Sequence, residues 1–125
     1  MSEVQDGTTA IRYDWTDVPA DHPVAHISRK MVRGDHMMVG HIEVEEGFHV
    51  EPHVHHNEQI TLVLEGRLRF RVGIVGSDEY RDEEVGAGQV MVLPPFVPHG
   101  ITAIEDSRVF DLFSPTSDKT GIDQD

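Results

Sequence analysis

Hydrophobic and polar residues alternate most clearly in the stretch LRFRVGIV, residues 68–75. Because successive side chains of a β-strand point to opposite faces, this alternation predicts a strand with one buried face. The preceding run, ITLVL, connects to it through Glu65-Gly66, and a two-residue connection ending in glycine predicts a tight hairpin. Apolar residues occupy both parities of that preceding run, so we expect a second sheet or a partner subunit to cover it.

Comparable runs recur at intervals of about ten residues, bounded by Gly, Pro or acidic clusters, which is typical of a sandwich or barrel of short strands. The predicted strands are Met37 to Val44, Gln59 to Leu64, Leu68 to Val75, Val90 to Leu93, and Arg108 to Phe113. Helical periodicity is limited to a single turn near Asp14 to Val18. The acidic run SDEYRDEE, residues 77–84, predicts an exposed turn.

The length of 125 residues suits one domain, and we expect it to span residues 13–115 between flexible segments 1–12 and 116–125. The opening MSEVQDGTTA has neither the basic start nor the apolar stretch of a signal peptide, so a soluble, cytoplasmic protein is expected. Ten Lys and Arg stand against 23 Asp and Glu, a net charge of −13. This balance disfavours nucleic acid and anionic membrane surfaces as partners, and it allows an anionic small-molecule substrate only where a local cation such as a metal overrides the overall repulsion.

Histidines carry the clearest chemical signal. Six of the nine lie within 21 residues, and the densest part reads GFHVEPHVHHNEQ. Neutral imidazole is the commonest transition-metal ligand in proteins. In an extended strand His53, His55 and Gln59 would share a face. Glu58 is the better ligand by chemistry, yet it is out of phase unless a bulge intervenes. His99, held between prolines in PPFVPHG, is a candidate for a further ligand.

Two motifs resemble those of the cupin superfamily. The first is Gly47-x5-His53-x-His55-x3-Gln59-x6-Gly66, with Gln where the general pattern has Glu, and the second is Gly88-x5-Pro94-x4-His99. The resemblance implies an all-β fold, the double-stranded β-helix or jelly-roll barrel, and commonly a homodimer. It also implies one divalent transition metal per chain, held by His53, His55, Gln59 and His99. These ligand types suit Zn, Ni, Mn, Fe and Cu in different geometries, so the metal stays open.

The chain departs from these motifs at several positions. Phe96 stands where the second motif usually has Gly, and Ala103 where it has Asn. Gln59 replaces a carboxylate. A neutral ligand leaves the charge of the ion uncompensated, which strengthens it as a Lewis acid.

A narrower resemblance joins HxHxxEQ, PPxVPHG and VFDLFSP to small single-domain cupins of the pectin-degradation type. Those proteins convert 4,5-unsaturated monouronates into linear keto forms, and the resemblance implies that Asp111 and Phe113 line the pocket beside the metal. Both residues share one parity and can face the interior together. Many members carry an Arg shortly after the SP, where this chain has Ser117, with Lys119 nearby.

The preferred functional interpretation is a metal-dependent isomerisation or ring opening of a small, oxygenated, sugar-acid-like substrate. Asp111 would move the proton and Phe113 would shape the pocket, although Asp111 is equally well read as a strand residue satisfied by the backbone. One alternative is a metal-dependent dioxygenase of a small enediol or aromatic compound. Another is a non-catalytic cupin that binds a ligand as a sensor or storage module, with a structural metal.

Overall fold

Nine β-strands and one short 3-10 turn make up the fold in a computed structural model, which describes residues 9–117. The 3-10 turn is Trp15–Asp17, within the stretch where a single helical turn was predicted. The strands are β1 (Ile27–Arg33), β2 (Met38–Val44), β3 (His49–His53), β4 (Glu58–Glu65), β5 (Arg67–Val72), β6 (Arg81–Gly86), β7 (Val90–Leu93), β8 (His99–Ala103) and β9 (Ser107–Ser114).

The strands form two antiparallel sheets whose inner faces enclose the core. One sheet has five strands in the order β1-β2-β9-β4-β7, and the other has four in the order β3-β8-β5-β6. Buried apolar side chains from both sheets pack together between them, including Ile42, Val50, Leu68, Phe70 and Val109. The predicted all-β jelly-roll barrel is confirmed.

All five predicted strands exist, but the predicted hairpin between ITLVL and LRFRVGIV is wrong. β4 lies in the five-stranded sheet and β5 in the four-stranded sheet, so Glu65-Gly66 carries the chain from one sheet to the other. Gly66 has a φ of +89°, and a Cβ there would lie 2.3 Å from the backbone oxygen of Asp106. Glycine is therefore needed at this position because the chain crosses closely from one sheet to the other. Tight hairpin turns also require glycine, so the residue type alone does not distinguish the two connections.

Strand β5 ends earlier than the alternation predicts. Gly73 has a φ of +98° and begins the connection to β6, so Ile74 and Val75 lie outside the strand and are exposed. The prediction that the acidic run, residues 77–84, forms an exposed turn was wrong for its second half, because Arg81 to Glu84 belong to β6. These four residues are exposed, so no apolar alternation marks them.

The inner face of β4 is polar near its start. Gln59 and Thr61 point inward and are buried, whereas Ile60 and Leu62 point outward and are half-buried. The four-stranded sheet covers this inner side of β4. Because Gln59 and Thr61 point into it, the barrel interior contains hydrogen-bonding groups. No helix in residues 9–117 is long and apolar enough to cross a bilayer. The predicted terminal segments and Lys119 lie largely or wholly outside the described residues.

Candidate metal centre

Three imidazoles converge at one end of the barrel. His53 ends β3, His99 begins β8 in register with it, and His55 lies in the connection that leads to β4. One ring nitrogen from each lies within 4.8 Å of those of the other two. The ring centroids of His53 and His99 are 4.5 Å apart, and those of His55 and His99 are 4.8 Å apart. Within residues 9–117 this is the one group of three or more potential ligand side chains that could hold a metal ion.

The hydrogen bonds of these rings define which nitrogen is free. Nδ1 of His53 lies 3.0 Å from the Glu51 carbonyl, Nδ1 of His55 lies 3.0 Å from the Asn57 carbonyl, and Nδ1 of His99 lies 2.9 Å from the Val97 carbonyl. A carbonyl oxygen only accepts, so each Nδ1 carries the proton and donates. Each Nε2 therefore presents a lone pair, the arrangement that orients histidine ligands in metal sites.

Buried lone pairs without partners are the observation that favours an ion. Nε2 of His53 and Nε2 of His99 are both buried with no hydrogen-bond partner among the described residues. Burial lowers the pKa of His99 to about 4 and also lowers the pKa of His53, which keeps both rings neutral at physiological pH. Neutral imidazoles with unpartnered Nε2 atoms fit a divalent transition metal.

Gln59 points its amide at the same place. Its Oε1 lies 3.2 Å from Nε2 of His55, while its Nε2 donates to Thr61 Oγ1 at 3.0 Å and to Asp111 Oδ1 at 3.4 Å. With Nδ1 of His55 donating to the backbone, two acceptors face each other across the 3.2 Å gap, which a cation would resolve. Glu58 is exposed, as its parity predicted.

Asp111 and Phe113 both face the barrel interior, as their shared parity predicted. Thr61 Oγ1 donates to Asp111 Oδ1 at 2.5 Å. Burial raises the pKa of Asp111 to about 6, although the hydrogen bonds from Thr61 and Gln59 oppose that rise. Asp111, Gln59 and Thr61 form the polar wall of a small internal cavity of about 30 Å³, whose other walls are apolar. Phe113 is buried, and its ring centroid lies 6.0 Å from that of His55.

Two supporting residues were missed by the sequence reasoning. Thr61 holds the carboxyl group of Asp111, and Asn57 is buried, accepts from His55 through its carbonyl and donates from Nδ2 to the Pro115 carbonyl at 2.5 Å. Thr61 could have been found, because it shares the parity of Gln59. The contacts of Asn57 leave no signal in a linear pattern.

The single-strand placement of the ligands was wrong. β3 ends at His53 and β4 begins at Glu58, with a register irregularity between Val50 and His53. Convergence comes instead from the loop that carries His55 between two sheets. That irregularity also separates His49 from the cluster, and His49 is exposed and contacts Glu51 and Thr102.

A wider, open hollow of about 450 Å³ lies at the other end of the barrel. Its polar lining includes His22, His26, Glu45, Glu65 and Asp106. The His26 ring pairs with the Glu45 carboxylate at 2.5 Å, and Glu65 pairs with Arg108 at 3.2 Å. These paired side chains account for much of the polar lining of this hollow.

Comparison with known proteins agrees with this geometry. The chain is 27% identical to KdgF from Halomonas sp. over 88% of this chain and 97% of that one, with a TM-score of 0.77. An RmlC-like cupin from Shewanella frigidimarina is 21% identical over 88% and 95% of the chains, with a TM-score of 0.76. An oxalate decarboxylase from Bacillus subtilis is 17% identical over 92% of this chain and 33% of its own, with a TM-score of 0.78. The last two likenesses concern the fold alone.

No curated protein has a sequence that matches this one. The family model described as Cupin matches residues 22–124, which is most of the chain and includes all three imidazoles. With its jelly-roll barrel and its cluster of three histidines, the chain belongs to the cupin family.

Proposed function

We propose that this cupin is a metal-dependent enzyme that isomerises or ring-opens a small, sugar-acid-like molecule, with 4,5-unsaturated monouronates as the first candidates. The proposal depends chiefly on one juxtaposition: the amide of Gln59 lies between the carboxyl group of Asp111, 3.4 Å from its Nε2, and His55 of the imidazole cluster, 3.2 Å from its Oε1. Similarity to KdgF and to the pectin-degradation cupins supports the substrate class. The ion would be held by His53, His55, Gln59 and His99, with its identity open among Zn, Ni, Mn, Fe and Cu.

When bound, the ion would supply Lewis-acid stabilisation of negative charge on substrate oxygens. The ketonisation consumes no oxidant: the C1–O5 bond breaks, the anomeric hydroxyl loses a proton, C4 gains one, and the C4=C5 bond becomes the C5 carbonyl. Asp111 is placed to move the proton, because Thr61 and Gln59 fix one carboxylate oxygen and leave the other for the substrate. Phe113 would close one side of the pocket and limit its water.

The direct test is to incubate metal-loaded protein with 4,5-unsaturated monouronates and follow the loss of their ultraviolet absorbance. We expect a rate well above the uncatalysed conversion, and we expect His53→Ala to abolish it. Absence of acceleration would contradict the proposal. Oxygen consumption with an enediol or aromatic substrate would then identify the dioxygenase alternative, and ligand binding without turnover would identify the sensor alternative.

We also propose that the protein is a homodimer through the outer face of the five-stranded sheet. Two rows of outward side chains cross this sheet in register: Val32, Val39, Leu112, Ile60 and Val92 in one, and Lys30, His41, Phe110, Leu62 and Val90 in the other. Trp15 stacks on Phe110 with ring centroids 5.9 Å apart. Val90 and Val92 are 55% and 52% exposed, so the face continues to the edge strand uncovered.

The charge pattern favours a second copy of the chain as the partner that covers the outer face of the five-stranded sheet. Although 23 acidic residues give the chain a net charge of −13, neither row contains a carboxylate. Lys30 is the one formally charged residue in the rows, and its Nζ donates to the Trp15 carbonyl at 2.9 Å. Two acidic chains can therefore meet here without opposing carboxylates, and a two-fold axis makes the apolar rows self-complementary.

We expect sedimentation equilibrium to give about twice the chain mass of 14.0 kDa for the wild type and the chain mass for Leu62→Glu. Val75→Glu, which places the same charge on an exposed loop valine, should leave the dimer intact. A monomeric wild type, or a Leu62→Glu variant that remains dimeric, would contradict the assignment. The cytoplasmic location stays a prediction.

A further inference from the structure

Phe96 adopts an unusual backbone conformation. Its φ is +66°, in the left-handed region that side chains with a Cβ rarely adopt. Among the described residues five glycines share a positive φ, and His26 is the one other non-glycine residue that does. Phe96 also occupies the position where the cupin motif usually has glycine. A glycine there would adopt this turn without strain.

Core packing does not account for the aromatic ring. The Phe96 side chain is 66% exposed, whereas the ring of His26 is held by a hydrogen bond with the carboxylate of Glu45. An exposed aromatic ring on a strained backbone position is unfavourable for folding. Such outliers cluster where the strained residue serves a ligand.

The backbone around Phe96 is tied to the imidazole cluster. The Phe96 amide donates to the His55 carbonyl at 2.9 Å, and the carbonyl of the next residue, Val97, accepts from Nδ1 of His99 at 2.9 Å. Two of the three imidazole residues therefore fix this turn. Phe96 stands at the end of the barrel where a substrate would approach the site.

The other connections at this end have exposed apolar side chains alongside acidic and neutral polar ones, and they lack Lys and Arg. Met37, Val54, Ile74 and Val75 are exposed on the neighbouring loops, between 49% and 70%. The Gly73 amide donates to the Pro98 carbonyl, which ties the loop of Ile74 to that of Phe96. Segments 34–37, 54–57, 73–80, 94–98 and 115–117 contain no Lys or Arg, and Arg33, which ends β1 at this end, is buried. An uncharged part of the substrate fits these surroundings better than a carboxylate does.

We propose that Phe96 determines specificity by packing against a flat apolar face of the substrate while the substrate's oxygen atoms reach the metal site. This inference rests on the proposed function and narrows its substrate class. The substrate would have a chelating pair of oxygens at one end and, at the other, the C–H face of a sugar ring. Any carboxylate it carries would be directed toward the imidazole cluster rather than the rim.

Two hydroxamates with the same chelating head test this inference without turnover. Acetohydroxamate ends in a methyl group and benzohydroxamate in a phenyl ring, and both bind zinc through their oxygens. Calorimetric titration of the zinc-loaded wild type should show benzohydroxamate binding about tenfold or more tightly than acetohydroxamate, because only its ring reaches Phe96. Phe96→Gly and Phe96→Ala should bind the two compounds with equal affinity. Val24→Ala, which changes an exposed valine before β1 at the opposite end of the barrel, should keep the wild-type preference.

Controls separate a binding role from a structural one. Zinc content should be unchanged in both Phe96 variants, and Phe96→Gly should melt at or above the wild-type temperature because its backbone strain is relieved. The inference would be overturned if Phe96→Gly lost its zinc, or if the Phe96 variants still bound benzohydroxamate more tightly than acetohydroxamate. A wild type that binds both compounds equally would refute the role of Phe96 and leave the metal function standing. A zinc-loaded wild type that binds neither compound would refute both.

Discussion

Asp111→Asn is expected to retain the metal at wild-type stoichiometry and to lose about 10²- to 10⁴-fold in turnover, the range that a positioned proton-transfer group contributes. Asparagine keeps the shape of the side chain and can still accept from Thr61 Oγ1, which donates to Asp111 at 2.5 Å. It cannot take up and return a proton. Metal analysis together with the rate of ultraviolet absorbance loss on 4,5-unsaturated monouronates would measure both quantities.

Thr61→Val provides the matched comparison. It removes the hydrogen bond that positions the carboxyl group while leaving the carboxyl itself, so its turnover should fall less than that of Asp111→Asn. Equal turnover in Asp111→Asn and the wild type would remove Asp111 from the mechanism. A variant that loses its metal would show instead that the carboxyl group supports the ion through Gln59.

His99→Ala should abolish stable metal binding and lower the metal affinity by more than about 100-fold. Substituting residues that only orient metal ligands already lowers metal affinity by about 10- to 100-fold, and a ligand should matter more. The reason is geometric. Nε2 of His99 is buried without a hydrogen-bond partner, and its ring lies 4.5 Å and 4.8 Å from the rings of His53 and His55. Removing it leaves two imidazoles, and the metal content after dialysis should drop to background.

His49→Ala is the control for that substitution. His49 lies on the same strand as His53, yet it is exposed and contacts Glu51 and Thr102 rather than the cluster. Its loss should leave metal content unchanged. If both alanine variants kept their metal, the ion would have to lie elsewhere in the molecule, and the proposed centre would be wrong.

Five of the nine strands were predicted close to their observed positions, whereas β1, β3, β6 and β8 were not predicted, and the connection between β4 and β5 was predicted wrongly. β5 has the alternation expected of a strand and β4 has an apolar run of strand length, but such patterns describe one strand at a time and do not say to which sheet it belongs. Gly66 serves a crossing between sheets, and the same residue type would serve a hairpin. β6 escaped prediction because four of its six residues are exposed, so its sequence resembles a polar turn.

The sequence predicted which residues form the candidate site better than it predicted how the backbone brings them together. Motif spacing placed His53, His55 and His99 together, and parity favoured Gln59 over Glu58. The loop position of His55 and the carbonyl partners of the three rings depend on backbone conformation, which residue types do not specify. Parity with Gln59 marks Thr61 as an inward-facing residue, but its contact with Asp111 could be predicted only by knowing that β4 and β9 are neighbours, since the two residues lie opposite each other in that pairing.

The position of β9 in the sheet bears on the order in which the protein can assemble during synthesis. β9 is the last of the nine strands, and it lies between β2 and β4, pairing with both. Until it leaves the ribosome, β2 and β4 each have an edge without its main-chain partner, and open edges invite aggregation. The same strand carries Asp111 and Phe113. A nascent chain therefore contains His53, His55 and His99 before it contains Asp111, the residue that we propose moves the proton.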